Sequence, residues 1–352
     1  MAAAGRPPDR EENALLSRPP APAIATSIAT GPTTTLRRAA LGLILAAGAP
    51  RPSAASGPSR VVVPVPPGTS PDTAARLLAE RLSRRRGHPL VVENRTGGDG
   101  TVGAAAFAQA RPGEALFFGM ADLLTVAPLA GDPLPYDPAA DFVPISSTAT
   151  DFFVLSVPSA MPVRTLAEFV GHARARPGGL NWAGPARTAA FPAFRAFLRS
   201  AGLDMAFVPY RGGPQALLDL AEGRIQAVVS TLAAALGAAR GGGKVRMLAT
   251  AARARAAAAP ELPTAAEAGF PDFWVEGLLG LFGWRGMPEA ARDALSAQAR
   301  EVLAEPAVAG GFAAAGMLAR GSEPAAFAAE IAEHRARWAA LAREFGVGPP
   351  RG

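Results

Sequence analysis

The stretch that decides the fold reads V-V-V-P-V-P-P-G-T-S-P-D-T-A-A-R and runs from Val61 to Arg76. Its opening apolar run predicts a short buried strand, which ends at the prolines because proline cannot donate to a strand ladder. Gly68 then permits a tight turn. A serine, a proline and an aspartate follow, which suit the cap and first turn of a helix over residues 73–82.

This strand–loop–helix unit is a candidate anion site. Backbone N–H groups and the positive end of the helix dipole point out of such a loop. A phosphate-binding loop would need the sequence G-x-x-x-x-G-K-[ST], and the lysine is absent here. A plain turn with no ligand fits the same residues, so the stretch alone leaves both interpretations open.

Further motifs extend the pattern towards the C-terminus. They read E-N-R-T-G-G-D-G-T-V-G at 93–103, L-P-Y-D-P at 134–138, V-P-Y-R-G at 208–212 and P-T-A-A-E-A-G at 263–269. With the opening stretch, this ordered set resembles the Bug proteins, the solute-binding receptors of tripartite tricarboxylate transporters. Each motif is weak alone, but their order from residue 61 onwards is specific.

The resemblance implies an α/β fold with the two lobes of a periplasmic binding protein, a Venus flytrap in which each lobe is a mostly parallel sheet flanked by helices. Alternating strand and helix patterns favour the same class. We expect residues 56–150 and 278–352 to form lobe 1, and residues 151–277, which open on a strand at 152–157, to form lobe 2. The tail helices should return to lobe 1. Hinges are expected at 146–151 and 274–279.

The N-terminal region predicts export. Residues 1–35 lack periodicity and are predicted to be disordered. Residues 36–55 combine paired arginines, a short apolar run and small residues, which is typical of a secretory signal peptide and indicates a periplasmic location. Because a signal so far from Met1 is unusual, we expect translation to begin nearer Leu36.

The resemblance also implies where a ligand carboxylate binds, between loops of the two facing lobes. The predicted ligand-binding residues are Pro67, Gly68, Thr69, Ser70, Asp72, Met120, Ala121, Ala183, Gly184, Arg187, Thr188, Tyr210, Arg211 and Ser230.

The second-lobe loop departs from the family pattern S-A-G-x-G-T/S-x-x-H. It reads A-G-P-A-R-T-A at 183–189, without the serine and histidine. Arg187 could replace the lost donors if it turns inward, and the sequence leaves its direction open. We therefore expect a ligand with one carboxylate and an apolar remainder, in preference to citrate or succinate.

Composition excludes several other classes of protein. The 352 residues carry a formal charge of +6 and form no basic stripe with interleaved aromatic residues, which argues against nucleic-acid binding. There is no cysteine, and the three histidines lack metal-ligand spacing, so neither a metal nor a cofactor is expected. No G-x-S-x-G elbow is present. Asp72 and Asp99 could form an acid–base pair, but their positions favour helix capping.

These observations predict a monomeric receptor, not an enzyme, that captures a small carboxylate for membrane transporter subunits. An alternative is an orphan ligand sensor that presents its closed form to a membrane sensor or other partner without transport.

Overall fold

The computed structural model describes residues 57–131, 133–210 and 213–345. The predicted disordered extension, the signal peptide and Arg211 lie outside these residues. The strands are β1 (Arg60–Val63), β2 (Val91–Asn94), β3 (Ala115–Met120), β4 (Val143–Pro158), β5 (Leu180–Ala183), β6 (Met205–Phe207), β7 (Ala227–Thr231), β8 (Val245–Thr250), β9 (Glu276–Gly283) and β10 (Met317–Ala319). The helices are α1 (Ser70–Arg86), α2 (Thr101–Ala108), α3 (Asp122–Thr125), α4 (Leu166–Arg174), α5 (Ala190–Ser200), α6 (Gly213–Ala221), α7 (Leu232–Arg240), α8 (Glu289–Leu303), α9 (Pro306–Ala314) and α10 (Pro324–Phe345).

The deciding stretch folds as the sequence predicts, into β1, a tight turn and α1. Pro71 lies in the first turn of α1, where its missing N–H has no helical partner to lose. The helix ends before Gly87, whose φ of 69° gives the left-handed conformation that glycine adopts without steric cost. Leu78 and Leu82 are buried on the face of α1 that packs in one cluster with the valines of β1. Local sequence thus builds the first strand–helix unit.

The long strand β4 organises the sheet. Its first half pairs antiparallel with β9 and β10, and its second half pairs antiparallel with β7 and β8. We call the first lobe the part built on β1–β3, β9, β10 and the first half of β4, and the second lobe the part built on β5–β8 and the rest of β4. The strand order is β2-β1-β3-β9-β4-β7-β5-β6.

The direction of the strands changes within each lobe. The outer strands are parallel, β2 with β1 and β3 in the first lobe and β6 with β5 and β7 in the second. Next to β4 and β9 the pairing is antiparallel, because β4 leads from the first lobe into the second and β9 runs in the opposite direction beside it. Each lobe is therefore a mixed sheet, and the expected parallel arrangement describes its outer strands. The lobe boundaries predicted near residues 150 and 278 fall within β4 and β9.

The C-terminal helix α10 packs on both lobes. Phe327 lies in the first-lobe core with Phe117 and Phe282. Further along the same helix, Trp338 is 1% exposed within the second-lobe core, beside Phe191 and Phe194. The tail was predicted to return to the first lobe, and α10 is long enough to reach the second-lobe core in addition. No helix in the described part of the chain is long and apolar enough to cross a bilayer.

Candidate ligand-binding site

The first-lobe loop is closed on itself by hydrogen bonds. Gly68 has a φ of 80°, and its N–H donates to Oδ2 of Asp72 over 2.8 Å. The hydroxyl of Thr69 donates to the Pro66 carbonyl over 2.8 Å. Pro67 and Gly68 are exposed, whereas Ser70 is buried at the start of α1. The N–H of Gly68, expected to face a ligand, therefore serves the carboxylate of its own helix.

Asp72 holds this loop and α1 together. Besides the Gly68 N–H, its carboxylate accepts hydrogen bonds from Nε of Arg76 over 3.0 Å and from Nδ2 of Asn94 over 2.7 Å. Burial alone would raise the pKa of Asp72, but these hydrogen bonds lower it below its usual value. Asp72 was predicted as a ligand-binding residue, and the structure places it as an ionised support of the loop.

The second-lobe loop turns against the first lobe. Ala183 ends β5, and Gly184 follows it, partly buried. The Thr188 hydroxyl donates to the Pro185 carbonyl over 3.1 Å, which fixes the turn into α5. The N–H of Ala189 then donates to Oδ2 of Asp122 over 3.0 Å. One hydrogen bond thus joins the second-lobe loop to the carboxyl end of a first-lobe strand.

Arg187, on the same loop, is close enough to act on first-lobe groups. Burial raises the pKa of Tyr136, and the positive charge of Arg187 opposes that rise. The same charge opposes the desolvation that raises the pKa of Asp99. Asp99 follows β2 and Tyr136 precedes β4, so both groups on which this charge acts belong to the first lobe.

Asp122 is a buried carboxyl at the junction of the lobes. It follows the predicted ligand-binding residues Met120 and Ala121 at the end of β3, where the Ala121 N–H donates to the Leu278 carbonyl over 2.7 Å. Asp122 is 3% exposed, and its Oδ1 has no hydrogen-bond partner among the described residues. Burial raises the pKa of Asp122 to about 7, and the Ala189 N–H counteracts this only in part.

His334 of α10 faces Asp122, but the hydrogen-bond network keeps its imidazole neutral. The indole N–H of Trp338 can only donate, so Nε2 of His334 accepts it, over 2.9 Å. Nδ1 therefore carries the proton and donates to Oγ1 of Thr125 over 2.9 Å. The Thr125 hydroxyl in turn donates to the Ala121 carbonyl over 3.0 Å. The 3.7 Å separation between His334 Nε2 and Asp122 Oδ1 is consequently not an ion pair.

Asp151 is a second buried carboxyl at this junction. It lies in β4 opposite Gly277 of β9, is 4% exposed, and its Oδ1 also lacks a partner among the described residues. Burial raises its pKa to about 7, the Phe152 N–H opposes the rise, and the charge of Asp122 adds to it. Sequence analysis missed Asp122, Asp151 and His334 as site residues. Only the position of Asp122 at a strand end could have indicated one of them.

The remaining predicted residues bond within their own lobe. The Tyr210 hydroxyl donates to Oδ2 of Asp219 over 2.7 Å. Burial and this hydrogen bond raise the pKa of Tyr210 to about 12. Ser230 is 4% exposed near the end of β7, and its hydroxyl donates to the Thr231 carbonyl over 3.4 Å. The structure thus brings Met120 and Ala121 to the second-lobe loop, and the role of Tyr210 and Ser230 in binding stays a prediction.

Comparison with known proteins identifies the family. The sequence profile of the tripartite tricarboxylate transporter family receptor, TctC, matches residues 74–347. The chain belongs to this family. The receptor is 31% identical to protein BugT of Bordetella pertussis over 293 residues, 82% of this chain and 90% of BugT. It is also 31% identical, over 82% of this chain and 87% of the relative, to a UPF0065 protein from the tcbD-tcbE intergenic region of a Pseudomonas species.

Solved structures of similar receptors share the two-lobed fold. A Rhodopseudomonas palustris protein with adipate is 29% identical, with a TM-score of 0.76 over 83% of this chain and 98% of that one. MatC from the same organism, with bound malate, is 30% identical, with a TM-score of 0.70 over 81% and 98% of the chains. The chain is thus a solute-binding receptor of a family of periplasmic proteins. No group of three or more metal-ligating side chains occurs among the described residues.

Proposed function

We propose that this receptor captures a small carboxylate outside the cytoplasm and delivers it to the membrane subunits of a tripartite transporter, without covalent chemistry. The observation that carries the proposal is the likeness to the two receptors that hold adipate and malate, at 29% and 30% identity over the whole two-lobed fold. The signal peptide proposed at 36–55 lies outside the described residues, and export through it is part of the proposal.

The ligand carboxylate is proposed to bind between the first-lobe loop and the second-lobe loop. Ser70 supplies a hydroxyl donor there, and Arg187 supplies a guanidinium that can bind a carboxylate with two hydrogen bonds. A buried carboxylate needs such donors, because leaving it unpaired makes binding unfavourable. Arg187 is the one charged residue of the second-lobe loop, which reads A-G-P-A-R-T-A at 183–189. We therefore propose a ligand with a single carboxylate.

Calorimetry and thermal melts with a carboxylate panel test this function. The panel holds mono-, di- and tricarboxylates, each beside its neutral amide. A ligand at a hundred times its dissociation constant should stabilise the protein by about 2.7 kcal/mol, which a melt detects. The amides should give no shift. Failure of every carboxylate, or equal binding of an amide, would contradict the proposed function.

A matched pair of variants locates the site. Arg187→Gln should weaken carboxylate binding tenfold or more, since a hydrogen bond to a charged group contributes about 1.5–3 kcal/mol. Arg195→Gln is the control, because Arg195 is an exposed arginine of α5 in the same lobe. Equal affinity of both variants would place the carboxylate away from Arg187.

A further inference from the structure

Asp122 and Asp151 form a buried acidic pair where the two lobes meet. Each is more than nine-tenths buried, and each has one carboxyl oxygen without a hydrogen-bond partner among the described residues. Both lie on segments that join the lobes, since Asp122 accepts the N–H of Ala189 from the second lobe and Asp151 sits in the crossing strand β4. Two orphaned oxygens of this kind require an explanation, because buried polar groups are nearly always paired.

The sheet places Asp122 and Asp151 on either side of the start of β9. The Ala121 N–H, next to Asp122, donates to the Leu278 carbonyl of β9 over 2.7 Å. The preceding residue, Gly277, lies directly opposite Asp151. Gly277 also leaves room for this side chain, because a Cβ at residue 277 would lie only 3.0 Å from the Cβ of Asp151. The charge of Asp122 adds to the burial that raises the pKa of Asp151, so the two carboxyl groups are near enough to interact.

Neighbouring cationic residues are engaged elsewhere. His334 lies 3.7 Å from Oδ1 of Asp122, and its hydrogen bonds to Trp338 and Thr125 hold it neutral. On the same helix, Arg335 donates to the Leu124 carbonyl over 3.3 Å, and Arg337 donates to the Trp274 carbonyl over 2.9 Å. Besides burial, the groups that shift the pKa values of the acidic pair are backbone N–H donors and the pair itself. The pair therefore lacks a compensating positive charge from the described protein.

A ligand that enters between the lobes can supply that charge. An ammonium group carries three N–H donors, enough to reach both orphaned oxygens at once. An apolar group at the same place would leave the two oxygens unpaired at a cost in free energy. An ammonium group on the ligand therefore takes the place of the apolar part that the sequence predicts.

We propose that the solute is an aminocarboxylate, whose protonated amine binds between Oδ1 of Asp122 and Oδ1 of Asp151 while its carboxylate binds the two loops. The inference rests on the proposed function for the carboxylate half of the ligand. Entry requires the lobes to part, because the hydrogen bond from Ala189 to Asp122 closes this junction.

Matched ligand pairs test the inference by calorimetry on the full chain. The two members of each pair differ by one amine. The pairs are acetate and glycine, propionate and alanine, hexanoate and 6-aminohexanoate, and succinate and aspartate. The amine-bearing member of at least one pair should bind at least tenfold more tightly than its partner. Carboxylates that bind as tightly as, or more tightly than, all their amino counterparts would overturn the inference and leave the proposed function standing.

Isosteric variants assign the effect to the acidic pair. Asp122→Asn and Asp151→Asn should each lower the ratio of amino-acid affinity to plain-acid affinity at least tenfold. Asp141→Asn is the control, because Asp141 is a partly buried aspartate that is paired with Arg285 instead. An unchanged preference in both variants would overturn the assignment. The wild-type pairs decide the question even if a variant fails to fold.

Simple amines without a carboxylate separate the two proposals. Binding of butylamine or pentylamine, with no binding of any carboxylate, would support the acidic pair as a cation site and contradict the proposed carboxylate receptor. Absence of binding by every acid, amino acid and amine would overturn both.

Discussion

The guanidinium of Arg337 stacks on the indole of Trp274, with its central carbon 3.4 Å from the ring centroid. The same guanidinium donates to the Trp274 carbonyl over 2.9 Å. Arg253 approaches this ring as well, at 4.2 Å. Burial and the charge of Arg253 lower the pKa of Arg337 to about 10, so the side chain stays protonated at neutral pH. This contact fastens α10 to the segment that leads into β9.

Removing this contact should loosen α10 from the second lobe. A desolvated cation–π pair contributes about 2 kcal/mol, and we expect Arg337→Ala to lower the free energy of unfolding by roughly that amount. Arg343→Ala is the control, because Arg343 is exposed on the last turn of the same helix. Denaturant titrations of both variants measure the difference. Equal stability of the two variants would show that the stacking contributes nothing.

The buried acidic pair should make stability depend on pH. The folded-state pKa values of Asp122 and Asp151 are about 7, above the ordinary 3.8. At pH values between 3.8 and about 7 the folded protein therefore binds more protons than the unfolded protein. Their contribution is therefore present at low pH and is lost as pH rises through about 7. His334 acts in the opposite sense, because burial lowers its pKa to about 4 and stability from this residue rises between that pH and 6.5.

Unfolding titrations at several pH values check the sign. The double variant Asp122→Asn/Asp151→Asn should gain stability relative to the wild type as pH rises from about 5 to about 8, by on the order of 5 kcal/mol. His334→Gln serves as the comparison, and it should remove only the rise below about pH 6.5. A constant difference between the double variant and the wild type would show that the pair does not titrate in this window.

Asp72 should show the opposite linkage to Asp122, although both are buried aspartates. Hydrogen bonds from Arg76, Asn94 and Gly68 outweigh burial and lower the pKa of Asp72, so its contribution is present above pH 3.8 and is lost as pH falls through the folded value. Asp72→Asn should cost about 2 kcal/mol at neutral pH, and less as the solution is acidified. Glu80→Gln, on the exposed side of α1, is the control and should change stability by less than about 1 kcal/mol. A penalty that does not shrink in acid would contradict this linkage.

Local signals made the first strand–helix unit predictable. The prolines after β1 and the left-handed turn at Gly68 act within a few residues, so no distant partner is needed to recognise them. The long strand β4 is different. The sequence predicts a strand from 152, yet β4 begins at Val143, because its polar first half is buried by other parts of the chain. Ser147 shows the reason, since its N–H and hydroxyl both bond to the hydroxyl of Ser322.

The candidate site was predictable only where a motif marks a loop. The turns at 67–70 and 183–189 carry family motifs, and the structure places the second of them against the end of β3. Asp151 carries no such mark, because its burial depends on β9 and β10 pairing on either side of β4. His334 likewise lies on a helix whose packing partner is more than two hundred residues away in sequence. Long-range packing, invisible to local patterns, decides these positions.

Close packing between β9 and α10 gives a last prediction, at Gly280. A Cβ at this residue would lie 2.0 Å from Cζ of Phe327, whose ring is fully buried and packs against that of Phe282 with 5.1 Å between the ring centroids. The ring has no space to move aside, so Gly280→Ala should lower stability by about 1–3 kcal/mol through overpacking.

Gly310→Ala is the matched control, because Gly310 is exposed on α9 and no heavy atom lies within 4 Å of its added Cβ. That change should stabilise the protein by about 0.5–1 kcal/mol, since alanine favours a helix over glycine. Denaturant unfolding measures both effects, provided that the free energy of unfolding falls with denaturant concentration at the same slope in both variants. A Gly280→Ala protein as stable as the wild type would mean that α10 does not pack on β9 through Phe327.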